Sequence, residues 1–353
     1  MYNQTLFSYT DCRLCPRECR IDRTENIGFC QCRSRAGIAR AALHMWEEPC
    51  ISGTRGSGTV FFSGCTLRCC FCQNSRISRE HFGVPVTPRQ LADIFLNLQA
   101  QGAHNINLVT PTQYLPDILP ALELAKPDLA IPIVYNCGGY EKVETVEALR
   151  DFVDIWLPDL KYMDAALSMR YSAAPDYFEK TSKAIQKMIE VTGTPVFRPL
   201  SDVDSKPRTL PSKSPSCFAS SSPSVLPKTG SGSSSVFFHG IPEQPENFLM
   251  QRGVIIRHLV LPGSRKDSVN LLHWIKNTLP EGQYLLSLMS QYTPYHKDTL
   301  HPELNRRITS YEYQSVVDTA LELGLDHGFM QQKSSAKEEY TPPFDLEGCP
   351  VPD

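Results

Sequence analysis

Six short runs of apolar and β-branched residues, each followed by a stretch with helical spacing, limit the fold of this chain more than any other feature. Strands that alternate with helices in this way pair in parallel through right-handed crossovers. The sequence therefore predicts an α/β fold, either a doubly wound sheet or a TIM-type barrel, open or closed. The predicted strands are Thr59 to Ser63, Asn105 to Thr110, Ile131 to Asn136, Asp154 to Leu160, Val254 to Leu261 and Tyr284 to Ser290.

The helix after the first strand has the clearest local signals. Thr87 is its predicted N-cap, Pro88 lies in the first turn, and Gln90 completes a capping box. Apolar residues then follow at helical spacing from Leu91 to Leu98. Further helices are predicted at Leu115 to Ala125, Glu141 to Asp151, Tyr177 to Val191, Lys266 to Leu279 and Thr309 to Leu323.

Composition divides the chain into five parts. Between Ser201 and Ser235 there are 13 Ser and 5 Pro in 35 residues, a composition too poor in apolar side chains to bury a core, and we expect disorder there. A phosphorylated or partner-binding loop is the functional alternative for this segment. The predicted parts are a Cys-rich N-terminal extension (1–50), a first barrel part (51–200), a low-complexity insertion (201–250), a second barrel part (251–330) and a flexible tail (331–353).

Charge and hydropathy exclude several classes of partner. The 35 Lys and Arg against 38 Asp and Glu give a net charge of −3, which argues against binding of nucleic acid or of an anionic membrane through a general basic field. No apolar run reaches the length of a membrane helix, and the polar first eleven residues do not resemble a secretory signal. We therefore expect a cytoplasmic protein, and a reducing compartment favours metal ligation over disulfides for its 13 cysteines.

The segment GCTLRCCFCQN, which directly follows the first predicted strand, carries the most specific chemistry. It places Cys65, Cys69 and Cys72 in a Cys-x3-Cys-x2-Cys pattern on one tight loop. Three thiolates can hold three irons of a [4Fe-4S] cluster, which leaves the fourth iron open to a substrate or cofactor. A structural zinc site fits less well because it needs four closed ligands. We expect Cys70, between two of these cysteines, not to be a ligand.

A second group of cysteines lies near the N-terminus. Cys12, Cys15, Cys19 and Cys30 supply four thiolates in the pattern Cys-x2-Cys-x3-Cys-x10-Cys. Four ligands close a site, so these residues predict structural zinc or a second, electron-relaying iron–sulfur cluster. Free thiols are the remaining alternative.

The Cys65 to Cys72 loop, with Phe71 before its last cysteine, resembles the signature of the radical S-adenosylmethionine (SAM) superfamily. Further segments resemble a pyruvate formate-lyase activating-enzyme-like branch of that superfamily, relatives of the glycyl-radical activating enzymes. These segments are CRLCPREC (Cys12 to Cys19), EEPCISG (Glu47 to Gly53), GAHNINLVTPTQY (Gly102 to Tyr114), IPIVYNCGGYE (Ile131 to Glu141), VDIWLPDLKY (Val153 to Tyr162), IIRHLVLPG (Ile255 to Gly263) and LMSQYTP (Leu288 to Pro294).

The resemblance implies a partial (β/α)6 barrel with a [4Fe-4S] cluster above the carboxyl ends of its strands. It also implies SAM as cofactor, cleaved to methionine and a 5′-deoxyadenosyl radical that abstracts a hydrogen atom. An electron donor such as flavodoxin or ferredoxin would supply the electron. A glycyl-radical enzyme or another protein would be the substrate partner.

The resemblance assigns SAM-binding roles to residues at strand ends. Asp159 and Lys161 match an Asp-x-Lys that contacts SAM, with a plain strand-end ion pair as the alternative. Arg257 matches an arginine near the SAM carboxylate, and a buried structural ion pair is its alternative. The remaining expected contacts come from Thr110, Thr112 and Asn136, each of which could instead be an ordinary turn residue.

Two departures from the activating enzymes leave the substrate open. Arg55-Gly56-Ser57-Gly58 stands where those enzymes have Asp-Gly-Pro-Gly, and the segment Met289 to Tyr292 lacks their histidine. A radical SAM enzyme with a small-molecule substrate is therefore a second hypothesis. A metal-binding scaffold or electron carrier without SAM turnover is a third, although such a protein has no use for the SAM-binding residues at the strand ends.

Overall fold

Seven parallel strands form the centre of the molecule in this computed structural model. The structure describes residues 7–200, 237–238, 241–242, 247–295, 298–331 and 341–350. The predicted insert from Ser201 to Ser235 lies outside the described residues. The strands are β1 (Ala36–His44), β2 (Ser57–Phe62), β3 (Val84–Val86), β4 (Ile106–Val109), β5 (Ile133–Cys137), β6 (Ile155–Pro158), β7 (Val196–Pro199), β8 (Phe237–Phe238), β9 (Ile241–Pro242), β10 (Phe248–Leu259), β11 (Leu285–Met289) and β12 (Gly328–Met330).

Helices connect most of the parallel strands. They are α1 (Pro49–Ser52), α2 (Ser75–Ser78), α3 (Pro88–Ala100), α4 (Leu115–Ala125), α5 (Val143–Leu149), α6 (Ala165–Ser172), α7 (Tyr177–Thr192), α8 (Arg265–Thr278) and α9 (Ser310–Glu322). The capping box predicted for Thr87 and Gln90 is present at the start of α3, and the apolar face of that helix is buried. None of the helices in the described ranges has the length and apolar character that a membrane crossing requires.

The order of the strands decides between the two predicted architectures. The sheet runs β12-β11-β10-β6-β5-β4-β2-β1-β3, so the parallel strands follow one another in chain order. A doubly wound sheet would reverse its order at a switch point, and this sheet does not. Sequential parallel strands are typical of a barrel, and the edge strands β12 and β3 do not pair with each other in the described part of the chain. The fold is an open, partial α/β barrel.

All six predicted strands are present, and the structure adds others. β12 is a seventh parallel strand that pairs with β11, as in the register Leu286 to Gly328. β1 pairs antiparallel with β2, for example at Ala41 and Val60. Part of the segment predicted as an N-terminal extension is therefore a strand of the main sheet.

The described residues of the predicted flexible tail are docked on β1. The amide of Ala41 donates to the carbonyl of Glu347 at 2.8 Å, and the amide of Leu346 donates to Ala39 at 3.1 Å. Arg40 forms an ion pair with Asp345 at 2.6 Å. Residues 341–350 therefore differ from the sequence expectation because backbone pairing, these charges and the burial of Phe344 against Phe61 hold them.

Candidate active site

A cavity of about 590 Å³ lies at the carboxyl ends of the parallel strands. The end of every parallel strand, or the loop that follows it, contributes to its wall. This is the edge at which α/β barrels carry their functional groups. Its polar and sulfur-bearing lining includes Cys65, Cys69, Cys72, Thr110, Asn136, Asp159, Lys161, Arg257, Glu47, Glu48, Ser287 and Gln291.

The loop after β2 presents its three predicted cysteine ligands to this cavity. Arg68 has a positive φ of 52°, a conformation that side chains other than glycine rarely adopt, and it turns the chain between Cys65 and Cys69. The hydroxyl of Ser172 donates to Cys69 Sγ at 3.0 Å. Burial, together with the neighbouring thiols, raises the pKa of Cys65 to about 12. Metal binding here must therefore displace protons from the thiols.

Cys70 lies on the other side of the same loop. It lines a neighbouring cavity of about 520 Å³, to which Cys72 also contributes, and its ligand atom lies within 4.8 Å of those of Asp298 and His301. Arg170 Nε donates to His301 Nδ1 at 3.1 Å. That hydrogen bond occupies one ring nitrogen, and the guanidinium brings a positive charge next to the group. That Cys70 is not a ligand of the predicted cluster stays a prediction.

Asp159 and Lys161 form an ion pair at the end of β6, on the cavity wall. The hydroxyl of Tyr177 fixes this turn, because it accepts from the Lys161 amide at 3.0 Å and lies 2.8 Å from the Asp159 carbonyl. Gly139 has a φ of 80°, and a methyl group there would collide with that carbonyl. Burial is the largest single influence and lowers the pKa of Lys161, but Asp159, Cys69 and Tyr177 together raise it by more, so the ammonium group stays charged.

Arg257, on β10, binds two glutamates that precede the barrel. Its Nε lies 2.9 Å from Glu48 Oε1, and its Nη2 forms ion pairs with Glu47 and Glu48. Its Nη1 donates to Asn136 Oδ1 at 3.2 Å, and Asn107 donates to Glu47 Oε1 at 2.8 Å. The buried ion pair that was the alternative for Arg257 is thus present, on a residue that also lines the cavity.

The two threonines after β4 lie in different places. Thr110 lines the cavity with a φ of 57°, a strained conformation that is common at functional sites. Thr112 is buried behind the wall, where its hydroxyl donates to Glu141 at 2.6 Å. Thr112 is therefore not among the residues that line the cavity, because its short side chain is turned away toward β5.

The N-terminal cysteines lie beside the Cys65 to Cys72 loop. Cys12 and Cys30 pack in the same apolar cluster as Leu67 and Cys69. Arg17 Nε donates to the carbonyl of Thr66 at 3.0 Å. The segment that carries the predicted second site thus contacts the loop that carries the first through Arg17 and Cys30.

Sequence reasoning missed three residues that organise the cavity. Glu48 was not given a role, Tyr177 was predicted only as the first residue of a helix, and Gln113 was included in a family-like segment without a role of its own. Gln113 Nε2 donates to the carbonyls of Ser63 and Thr110, at 3.1 and 2.7 Å. The sequence did contain a pattern that points to Glu48. Two adjacent acidic residues, Glu47 and Glu48, precede an apolar strand, and buried carboxylates need a cation nearby.

The donor chemistry fits the [4Fe-4S] cluster that the loop predicts. Three thiols of one loop face one cavity. All three residues lie in the described part of the chain, and the sulfurs of Cys65, Cys69 and Cys72 are not all within 4.8 Å of one another. The sulfurs on one zinc ion lie about 3.8 Å apart, given Zn–S bonds of about 2.3 Å. Cysteines of a cubane lie farther apart because each binds a different iron.

Comparison with known proteins gives one family and a few distant relatives. Residues 59–202 match the family model of the radical SAM superfamily. A curated relative, "Uncharacterized protein MJ0674" of Methanocaldococcus jannaschii, is 25% identical over 328 residues, which is 90% of this chain and 76% of the relative.

Solved structures resemble the chain only distantly. Streptococcus suis SuiB matches with a TM-score of 0.41 and 13% identity over 78% of this chain and 48% of its own. Methylornithine synthase (PylB) matches with a TM-score of 0.42 and 12% identity, over 75% of this chain and 60% of its own. The chain thus spans about half of SuiB and three fifths of PylB. The match of residues 59–202, which include the cysteine loop and the Asp159–Lys161 turn, supports assignment of the chain to the radical SAM superfamily, whose cofactors are a [4Fe-4S] cluster and SAM.

Proposed function

We propose that this chain is a radical SAM enzyme that abstracts a hydrogen atom from a residue of a protein or peptide. The observation that carries the proposal is the single cavity in which Cys65, Cys69 and Cys72 face the Asp159–Lys161 ion pair and the Arg257 cluster. When bound, the reduced cluster supplies the electron that cleaves SAM to methionine and a 5′-deoxyadenosyl radical. A scaffold or an electron carrier would not need those charged groups beside the cluster.

The charged groups of the cavity suit the amino acid part of SAM. Lys161 provides a buried cation for a carboxylate, and Asp159 provides an anion for an ammonium group. Arg257 is already bound by two glutamates, so we assign it to positioning Glu47 and Asn136 at the cavity wall. These residues hold and orient SAM, and the enclosed strand ends exclude water from the reacting atoms.

The mouth of the cavity favours a polypeptide over a small metabolite. Met45 and Trp46, directly after β1, line the cavity and are 45% and 48% exposed. Large exposed apolar side chains beside a cavity that contains charged groups suit a surface that receives another chain. The glycine-bearing loop of a glycyl-radical enzyme is one segment of this kind.

Transfer of deuterium tests the substrate class. Extract of the native host, grown in D2O, would first be separated into macromolecular and small-molecule fractions. The anaerobically reconstituted enzyme would then be incubated with each fraction in the presence of dithionite and SAM. We expect deuterium in 5′-deoxyadenosine from the macromolecular fraction, and less of it with Trp46→Ala. Deuterium from the small-molecule fraction alone, or from neither fraction, would overturn the proposal.

A further inference from the structure

The four N-terminal cysteines Cys12, Cys15, Cys19 and Cys30 converge on one place, although 18 residue numbers separate the first from the last. Gly28 shows part of this convergence, because a methyl group there would lie 3.7 Å from Cys30 Sγ and 3.8 Å from Cys19 Sγ. Cys12, Cys15 and Cys30 also lie close enough to interact electrostatically. The four thiols therefore form a single candidate metal site.

The spacing of these thiols argues against zinc. In one tetrahedral zinc site the four sulfurs would lie about 3.8 Å apart, given Zn–S bonds of about 2.3 Å. No three of the four Sγ atoms, all of which the structure describes, lie within 4.8 Å of one another. The same is true of Cys65, Cys69 and Cys72, the signature cysteines of the cluster loop. Neither set of thiols is thus gathered as tightly as one zinc ion requires, and a cubane, whose cysteines bind different irons, does not require it.

A buried cation supports a charged metal site at this position. Arg23 is 0% exposed, and its guanidinium lies 3.9 Å from Cys12 Sγ. Its guanidinium also donates to the carbonyls of Cys32, Gln113 and Arg33 and lies over the rings of Tyr9 and Tyr114. Carbonyls satisfy hydrogen bonds but do not neutralise a charge, whereas the thiolates of a loaded site do.

The site touches the cluster loop directly. Gly64, which precedes Cys65, packs so closely that a methyl group would collide with Cys32 Sγ and lie 2.7 Å from the carbonyl oxygen of Cys30. Arg17, between Cys15 and Cys19, donates to Thr66 on the same loop. The Cys32 sulfur lies 3.3 and 3.5 Å from the carbonyl oxygens of Cys30 and Ser63, and its one S–H donates to either, which gives this sulfur a structural role.

We infer that Cys12, Cys15, Cys19 and Cys30 bind a second [4Fe-4S] cluster, closed by four cysteines, through which an electron from a low-potential one-electron donor reaches the Cys65, Cys69 and Cys72 site. Four cysteines leave no open iron, so this site has no place for SAM. The second cluster is reduced by one electron from the donor and oxidised again when it passes that electron on, so it is unchanged after each transfer. The inference deepens the proposed function and depends on it only for the destination of the electron.

Metal analysis separates this inference from the proposed function. Iron, acid-labile sulfide and zinc would be counted per chain in the anaerobically reconstituted full-length protein and in Cys19→Ala, with electron paramagnetic resonance of the dithionite-reduced samples. Cys19 is the least buried of the four ligands, so its removal disturbs the fold least. Cys15→Ala is the second ligand variant, and Cys32→Ala is the matched control at a neighbouring buried thiol.

We expect about eight irons in the wild type and in Cys32→Ala, and about four in Cys19→Ala and Cys15→Ala, given four irons per cubane. The reduced wild type should show two cluster signals, and each ligand variant should show one. One zinc per chain with about four irons, or eight irons that persist in both ligand variants, would overturn the inference. So would about four irons that Cys72→Ala removes completely. A wild type that holds about eight irons but does not cleave SAM would contradict the proposed function instead.

Discussion

Arg257 and Glu48 form a two-point ion pair beside the cavity, with Nε to Oε1 at 2.9 Å and Nη2 to Oε2 at 2.7 Å. Their side chains are 13% and 6% exposed. Burial alone would raise the pKa of Glu48, but the Arg257 guanidinium outweighs it, so the pKa lies below its usual value. Both groups are therefore charged in the folded protein.

Removal of Arg257 should destabilise the fold strongly. Arg257→Ala leaves Glu47 and Glu48 buried without their cation, and we expect a loss of about 3 to 5 kcal/mol in the free energy of unfolding. Urea denaturation at pH 7 measures it. Arg89→Ala is the control, because Arg89 makes an exposed pair with Asp93 and should change the stability by less than about 0.5 kcal/mol.

The same pair predicts a pH dependence. A depressed carboxyl pKa stabilises the fold at pH values above the pKa of the unfolded state, and the contribution is lost as the pH falls through the folded value. The stability difference between wild type and Glu48→Gln should therefore shrink on acidification. A difference that grows as the pH falls from 7 toward 4 would contradict the assignment.

Two glycines with positive φ form a matched test of the turn at the cavity wall. A methyl group on Gly139 would collide with the Asp159 carbonyl, whereas none of the described atoms lies within 4 Å of one on Gly193. Both alanine variants add backbone strain of about 1 kcal/mol. We expect Gly139→Ala to lower the thermal midpoint clearly more than Gly193→Ala does. Equal shifts in calorimetry would show that the turn is not held as described.

Glu141 should make the protein less stable at alkaline pH. Burial raises its pKa to about 8, although Thr112 and other hydrogen-bond donors act in the opposite direction. Between the ordinary glutamate pKa and 8, the folded state keeps a proton that the unfolded state has lost, so stability falls as the pH rises. Glu141→Gln removes this effect, and relative to wild type it should gain up to about 4 kcal/mol from pH 5 to pH 8. Urea denaturation at both values would contradict this expectation if the difference stayed constant.

Much of the fold could be predicted because local patterns and tertiary structure agree. The strands β2, β4, β5, β6, β10 and β11 have apolar runs that are buried on both faces, which is the pattern of a parallel sheet. The β12 strand, Gly-Phe-Met, is too short for such a signal and is held by pairing with β11. Barrel and doubly wound sheet could not be separated from local sequence, because strand order depends on contacts between distant residues.

The candidate site could be predicted in part, and for a similar reason. Asp159 and Lys161 were identified because they match an Asp-x-Lys of the family that the sequence resembles and lie at the end of an apolar strand, where a barrel carries functional groups. Glu48 and Tyr177 were missed because their importance comes from partners far along the chain: Glu48 bonds to Arg257, 209 residues away. Spacing along the chain cannot reveal a pair of this kind. The placement of Thr112 likewise depended on Glu141, its partner from the loop after β5.

The most direct test of the central claim is SAM cleavage by three forms of the reconstituted protein under anaerobic conditions: wild type, Cys72→Ala and Cys70→Ser. Cys72 lines the cavity of Asp159 and Lys161 and borders the neighbouring one, whereas Cys70 lines only the neighbouring cavity, with Asp298 and His301. With dithionite and SAM, we predict 5′-deoxyadenosine from wild type and from Cys70→Ser at comparable rates, and none above background from Cys72→Ala. Iron-loaded wild type that forms no 5′-deoxyadenosine, or Cys72→Ala that forms as much as wild type, would contradict the account.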